Sequence, residues 1–394
     1  MFEKICIKSR DNTGTKLDIA FLIDSMLFYG KTIVLAHKEE LIVLLRGFGE
    51  QYLKVLIETG RLDLRIRENI LGSMGFEGGR LGIELWAGKD ETYSNTLYKA
   101  HRESVRNSLS NTRFADEFSK ITQPFRYEKE ITDQIKADFE NKELLQKLLP
   151  IYLKYHLPEF QLPEKLEIEI EKDGSFGPFE AFAIKSNLDV LAYNNLSKEV
   201  KKDAHFDLNY SGFLLGLSES KGDIYIASHF DSELVTTKLY SDFINQQLEE
   251  IIRQRTTSQK NLDLFGEYVL ADCHSIGDAF VEGIITTKEL KGLLKKADKF
   301  RDWLIKVPED KNLIGEYYKE STRETFVDKL PVKTTRFVIF EGIGITLDLL
   351  GAGGLGTVAA TALSAVDSFV LDKLIKGWKP SQFIDENLKP KTKK

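Results

Sequence analysis

RLDLRIR, residues 61–67, alternates without a break: Leu62, Leu64 and Ile66 fall on one face, and Arg61, Asp63, Arg65 and Arg67 on the other. Strict period-two alternation after Gly60 marks a strand with one dry and one wet face. Upstream, Leu41, Leu44, Leu45 and Phe48, then Tyr52, Leu53 and Leu56, recur at helical spacing. Thr32 to Ala36 is a short buried strand, and the apolar run Leu17 to Tyr29 is a helix that stops at Gly30. Phe2 to Lys8 alternates again, with Ile5 and Ile7 on one face and Lys4, Cys6 and Lys8 on the other, before the turn signal Asp11-Asn12-Thr13-Gly14. This β-α-β-α-β order predicts a small α/β sandwich over residues 1–90.

Residues 91–330 read as a mainly helical domain. Leu144, Leu145, Leu148, Leu149 and Tyr152 form an apolar stripe, and Pro124 interrupts the helical pattern. A β-hairpin is expected near 165–185: Leu166, Ile168 and Ile170 alternate with Glu167, Glu169 and Glu171, Asp173-Gly174 supplies turn chemistry, and Phe179 to Ile184 returns. Asp223 to Ala227 reads as a further strand. Helices are expected to dominate from Leu239 to Phe326, one of them opened by a capping box of Thr286 and Glu289. Residues 331–394 form the last unit, so the class is α+β.

A chain of 394 residues with 29% charged residues and nine prolines is an ordinary folded protein, long enough to bury a large core without disulfides. The net charge of −6 argues against general nucleic-acid binding, which shows as a basic excess. Cys6 and Cys273 make no framework and no C-x-x-C, so reduced thiols are expected. The N-terminus MFEKICIKSRDN has no apolar core of leader length, and a cytoplasmic location is the expectation. The composition, rich in Lys and Ile, suits a bacterium.

Leu349 to Val366 runs 18 residues without a charge. Gly351, Gly353 and Gly356 spell G-x-G-x-x-G, but the residues after Gly356 read as helix throughout, so the βαβ context of a dinucleotide site is missing. The expected structure is a helical hairpin over 337–374, with Phe337 to Leu350 and Gly356 to Leu374 as arms and Gly351 to Gly354 as the turn. Membrane contact through 337–374 is the alternative, favoured by flanking lysines and Trp378 and opposed by Glu341, Asp348 and Asp367.

His205-Phe206-Asp207 and His229-Phe230-Asp231 repeat one tripeptide. In strands each would offer an imidazole and a carboxylate on one face, adequate for a divalent metal. The spacing matches no known metal motif, and helix caps near Ser228 and Asp231 account for the second pair, so the two are expected not to converge. Cys273-His274 cannot form its own dyad, because adjacent side chains diverge. Lys288, Lys291, Lys295 and Lys299 share one helical face opposite Leu290, Leu293, Leu294 and Ala297, which allows weak, salt-sensitive nucleic-acid binding at most. No catalytic residue, cofactor or metal site is assigned from these patterns.

DSFVLDKLIKGWKPSQF, residues 367–383, resembles the C-terminal end of a loose group of uncharacterised bacterial proteins, and LIDSMLFYGKTIVL, residues 22–35, is similar in the same way. The resemblance covers about a tenth of the chain and implies no activity or site residue. Proteins of this kind occur in defence loci, which brings antiviral defence in as an expectation. The leading functional expectation is a non-catalytic protein acting on a protein partner or on itself. A membrane effector working through 337–374, and a metal-dependent hydrolase or nuclease at the His-x-Asp pairs, are the alternatives.

Overall fold

A computed structural model describes residues 4–8, 17–75, 80–86, 92–105, 110–176, 179–205, 207–208, 210–230, 232–236, 239–240, 242–247, 266–268, 276–304, 339–341 and 383–385. The order is β1 (Lys4–Lys8), α1 (Ile19–Phe28), β2 (Lys31–Ala36), α2 (Lys38–Phe48), α3 (Glu50–Glu58), β3 (Leu62–Arg67), β4 (Ile70–Gly75) and β5 (Leu81–Trp86). Next come α4 (Tyr93–Ser104), α5 (Asn111–Phe118), β6 (Gln123–Phe125), α6 (Glu130–Glu140), α7 (Lys142–His156), β7 (Ile168–Phe176), β8 (Phe179–Ser186) and α8 (Val190–Lys201). The last are α9 (Tyr210–Phe230), β9 (Glu233–Thr236), β10 (Gly266–Tyr268), α10 (Ile276–Val281), α11 (Thr287–Leu304), β11 (Ile339–Glu341) and β12 (Phe383–Asp385).

The protein is α+β. A six-stranded sheet has the order β12-β9-β1-β2-β3-β6, and every neighbouring pair is parallel. Cys6 pairs with Ile33 and Ile33 with Asp63; Lys8 pairs with Leu35 and Leu35 with Arg65. The β-α-β-α-β start is present, its second helix divided into α2 and α3 at Gly49, whose φ of 74° favours glycine. The sheet does not stop at residue 90, however: β6, β9 and β12 extend it on both sides. Pro124 is therefore not a helix breaker but part of β6, an outer strand of the described sheet, where a missing N–H is tolerated.

Both faces of this sheet are covered. Ile5, Ile7, Val34, Leu64 and Ile66 pack with α1 to α5, α10 and α11, through side chains such as Leu22, Leu44, Leu53, Phe114 and Leu294. Cys6, Ile33 and Leu35 belong to a second core with α6, α7 and α9 and with Leu71, Ile83 and Phe182 of a four-stranded antiparallel sheet, β4-β5-β8-β7. Each large apolar side chain buried this way stabilises by about 1.5–3 kcal/mol.

Several expectations need correction. The predicted hairpin is β7–β8, but Asp173-Gly174 lies inside β7 as a bulge, where the register shifts between Lys172 and Ser175 and Gly174 has φ 87°. Asp223 to Ala227 is not a strand; it lies within the 21-residue helix α9. The Thr286/Glu289 box holds: Glu289 accepts from the Thr286 N–H at 2.7 Å and Glu289 N–H donates to Thr286 Oγ1 at 3.3 Å. Ile339–Glu341, placed in the first arm of a helical hairpin, is instead strand β11, antiparallel to β10. The rest of 337–374 lies outside the described residues. Among those that are described, no helix is long and apolar enough to cross a membrane.

Packing gives rise to one pH response. Burial at the end of α7, with Lys201 beside it, pulls His156 from 6.5 to about 4. The unfolded chain therefore takes up this proton first, so the contribution of neutral His156 is complete above pH 6.5 and is lost as pH falls towards about 4. Denaturation midpoints measured across that window should fall, and His156→Gln should flatten the fall; equal slopes for the two proteins would refute it.

Candidate functional site

In chain order the strands of the parallel sheet run outward from β1 through β2, β3 and β6, and then restart on its other side with β9 and β12. The order reverses between β1 and β9, and in open parallel sheets ligands bind beyond the carboxyl ends of the strands at such a reversal. Lys8 is the last residue of β1 and Arg67 the last of β3. Both occupy the face opposite Ile7 and Ile66, the face turned to the second core.

Lys8 is 1% exposed. Its Nζ donates to Glu219 Oε2 at 2.6 Å and lies 2.9 Å from Asp223 Oδ1. Glu219 and Asp223 are four apart on α9 and so share one face of that helix. Lys221, between them, turns the other way and pairs with Asp138 on α6 at 3.1 Å. These charges sit on a helix with scarcely an open side: of its residues only His229 is exposed. A helix buried all round is normally apolar, yet the segment Ser218, Glu219, Ser220, Lys221 and Asp223 is polar and, Glu219 apart, buried.

Arg67 is 6% exposed. Its Nη2 stands 3.8 Å from Glu40 Oε2, too far for a hydrogen bond, and its Nε and Nη2 are buried without a hydrogen-bond partner among the described residues. Glu40 is itself held at the start of α2, where it accepts from the His37 N–H at 2.7 Å. Tyr127 completes the wall. Asn69 fixes its backbone twice, donating to Tyr127 O at 3.0 Å and accepting from Tyr127 N at 2.8 Å. Burial drives the Tyr127 hydroxyl up to about 12, and Lys8, Glu219, Asp223 and Arg67 are the charges that act on it. Gly222 makes the fit possible, since a Cβ there would come within 2.9 Å of Leu71 and 3.1 Å of the Tyr127 hydroxyl.

The chemistry available is specific. Lys8, clamped by two carboxylates, is a fixed cation and hydrogen-bond donor, not a nucleophile. Glu219, at 16% side-chain exposure, is the most open of its group. Arg67 offers unspent guanidinium donors, the group suited to a phosphate or carboxylate. The Cys6 thiol lies beside Lys8, but burial pushes it far up and removes it as a nucleophile.

The residues singled out by the sequence lie elsewhere. His205 follows α8, bonded to Lys202 O at 2.9 Å and 3.7 Å from Asp207. His229 is in the last turn of α9, a helix and not a strand, among Phe125, Tyr225 and Phe230. His205 precedes α9, whereas His229 lies about 28 Å along that helix from Tyr210, at 1.5 Å per residue. Ser232 precedes strand β9 rather than opening a helix. Asp231, Cys273 and His274 lie outside the described residues. Among described residues no group of three or more His, Cys, Asp or Glu could hold a metal ion. On α11, Leu290, Leu293, Leu294 and Ala297 are buried while Lys288, Lys291 and Lys295 are exposed, as the amphipathic pattern requires. The Lys299 side chain lies outside the described set.

Comparison with protein-family models, with curated proteins and with solved structures finds no match to this chain.

Proposed function

We propose that the carboxyl ends of the parallel strands form a binding site for a small oxyanion-bearing ligand in the cytoplasm, with Arg67 as its anchor and Lys8, Glu219 and Asp223 as the polar group beside it. The buried Arg67 fork carries this reading. A charged group taken out of water without hydrogen bonds costs several kcal/mol, and such a group in a native protein calls for a ligand or a functional reason. Its position supports the same reading, because a doubly covered parallel strand is normally apolar on both faces. A phosphate or carboxylate would satisfy two guanidinium donors at once.

Self-assembly or a protein partner has less behind it. Among the described residues, exposed large apolar side chains are scattered, with Leu191 and Val200 on α8 and Val281 and Ile284 around the end of α10, and single exposed apolar residues are ordinary.

Thermal-shift and calorimetric titration with inorganic phosphate, nucleotides, sugar phosphates and dicarboxylates tests the proposal. At least one class is expected to bind. Arg67→Lys, which keeps the charge but not the fork, should weaken it by about 10- to 100-fold, matching the loss of a charge-assisted bond of about 1.5–3 kcal/mol. Binding of no class, or binding indifferent to Arg67, would defeat it.

A further inference from the structure

The opposite ends of the same strands hold a cavity of about 310 Å³ between α3 and α11. Its apolar wall is Val55, Leu56 and Leu294, and its polar groups are Tyr52, Arg61, Lys291, Lys295 and Asp298. Arg61 Nη2 is spent on Asp298, at 2.9 Å from both carboxylate oxygens, while Arg61 Nη1 is buried with no hydrogen-bond partner among the described residues. Tyr52 is 9% exposed, and its hydroxyl is likewise buried without a partner among them. Lys291 and Lys295 are exposed, one turn apart on the face of α11 that borders the cavity. With Asp298 offsetting Arg61, the two lysines leave the cavity positive by two charges.

We infer that this cavity is a second ligand site, distinct from the Arg67 site, for a small molecule that joins an oxyanion to a flat apolar body. Lys291 and Lys295 take the oxyanion at the mouth. Tyr52 and the free edge of Arg61 supply buried donors, and Val55, Leu56 and Leu294 receive the apolar part. The volume sits at the lower end of the range of small-molecule pockets and does not admit a nucleic-acid strand. Burial raises the Tyr52 hydroxyl to about 12 despite Arg61 nearby, so it stays protonated and able to donate. Arg61 precedes β3 and Arg67 ends it, so the six strand residues hold the two sites about 20 Å apart.

The test is calorimetric titration of the full chain with phenyl phosphate, benzoate, inorganic phosphate and a 12-nucleotide single strand. Phenyl phosphate or benzoate is expected to bind about tenfold or more tightly than inorganic phosphate, and the comparison of the two identifies the preferred oxyanion. Lys291→Glu with Lys295→Glu, on an exposed face, should weaken this binding at least about tenfold. Tyr52→Phe should weaken it several-fold, and Arg67→Lys should leave it unchanged. Circular dichroism and melting temperature confirm that each variant is folded. Absence of binding by both aryl probes, binding indifferent to Lys291, Lys295 and Tyr52, or an oligonucleotide that binds more tightly and is not displaced by phenyl phosphate, would each overturn the inference. Loss of binding on Arg67 substitution would assign the ligand to the other site instead.

Discussion

Lys8→Met is expected to lower stability by about 3–5 kcal/mol, the range for removing one partner of a buried ion pair. Methionine nearly matches the length of the lysine stem, so packing is spared and the loss is electrostatic. What remains is Asp223, whose side chain is wholly buried, and Glu219 at 16% exposure, neighbours on one face of α9 that have lost the ammonium they share. Like charges in a poor dielectric repel strongly. The effect should appear as a lower denaturation midpoint and as faster amide exchange in β1 and α9, the two elements that the contact joins. The triple variant with Glu219→Gln and Asp223→Asn should recover much of the loss, since neutral groups of the same shape remove the repulsion between the two carboxylates. A single variant as stable as the parent would show that the pair contributes nothing, and the picture of a clamped, dry lysine would fail.

Gly277→Ala is expected to cost about 3 kcal/mol or more, at the upper end of the effects of overpacking. A Cβ at Gly277 would lie 1.9 Å from the carbonyl oxygen of Ala20 and 2.5 Å from its carbon, both backbone atoms that cannot swing aside. The glycine lets α10 meet α1 backbone to backbone, and its N–H donates to Asp24 Oδ1 at 2.8 Å. The substitution should detach α10 and expose residues 276–304 to limited proteolysis. Gly292→Ala is the control: exposed in the middle of α11 with nothing near its missing Cβ, it should stabilise by about 0.5–1 kcal/mol. Equal proteolysis of the two variants would rule out the close approach.

The local elements from β1 to β3 were legible because each carries its period openly: Leu62, Leu64 and Ile66 alternate, and the apolar positions of α2 and α3 recur at helical spacing. The partners of those strands were not legible. β6, β9 and β12 are three or four residues long, too short for a pattern, and they reach the sheet from far along the chain. α9 escaped detection for a different reason. Buried on nearly every side, it lacks the one-sided apolar stripe by which helices are recognised, and its polar segment around Glu219 and Asp223 imitates a turn followed by a strand.

The candidate site was hidden by the same logic. In the sequence Lys8 and Arg67 look like the solvent face of half-covered strands; in the fold that face is roofed by the second core, and both side chains are buried. The clue was present but ambiguous: alternation is ordinary in a one-sided sheet and exceptional in a parallel sheet covered on both sides. Recognising it required knowing that the sheet is parallel, which depends on long-range pairing. The His-x-Asp repeats show the reverse error, since of the two like histidines His205 follows α8 and His229 lies in the last turn of α9.

Whether Arg67 anchors an oxyanion can be seen in an anomalous difference map from crystals of the full chain soaked in tungstate, a phosphate mimic. A peak is expected within about 4 Å of the Arg67 Nε and Nη2, with both nitrogens directed at it, and that peak should vanish in Arg67→Lys. A map with no peak there, and with both nitrogens instead bonded to protein atoms, would show that Arg67 is a structural cation and not an anchor.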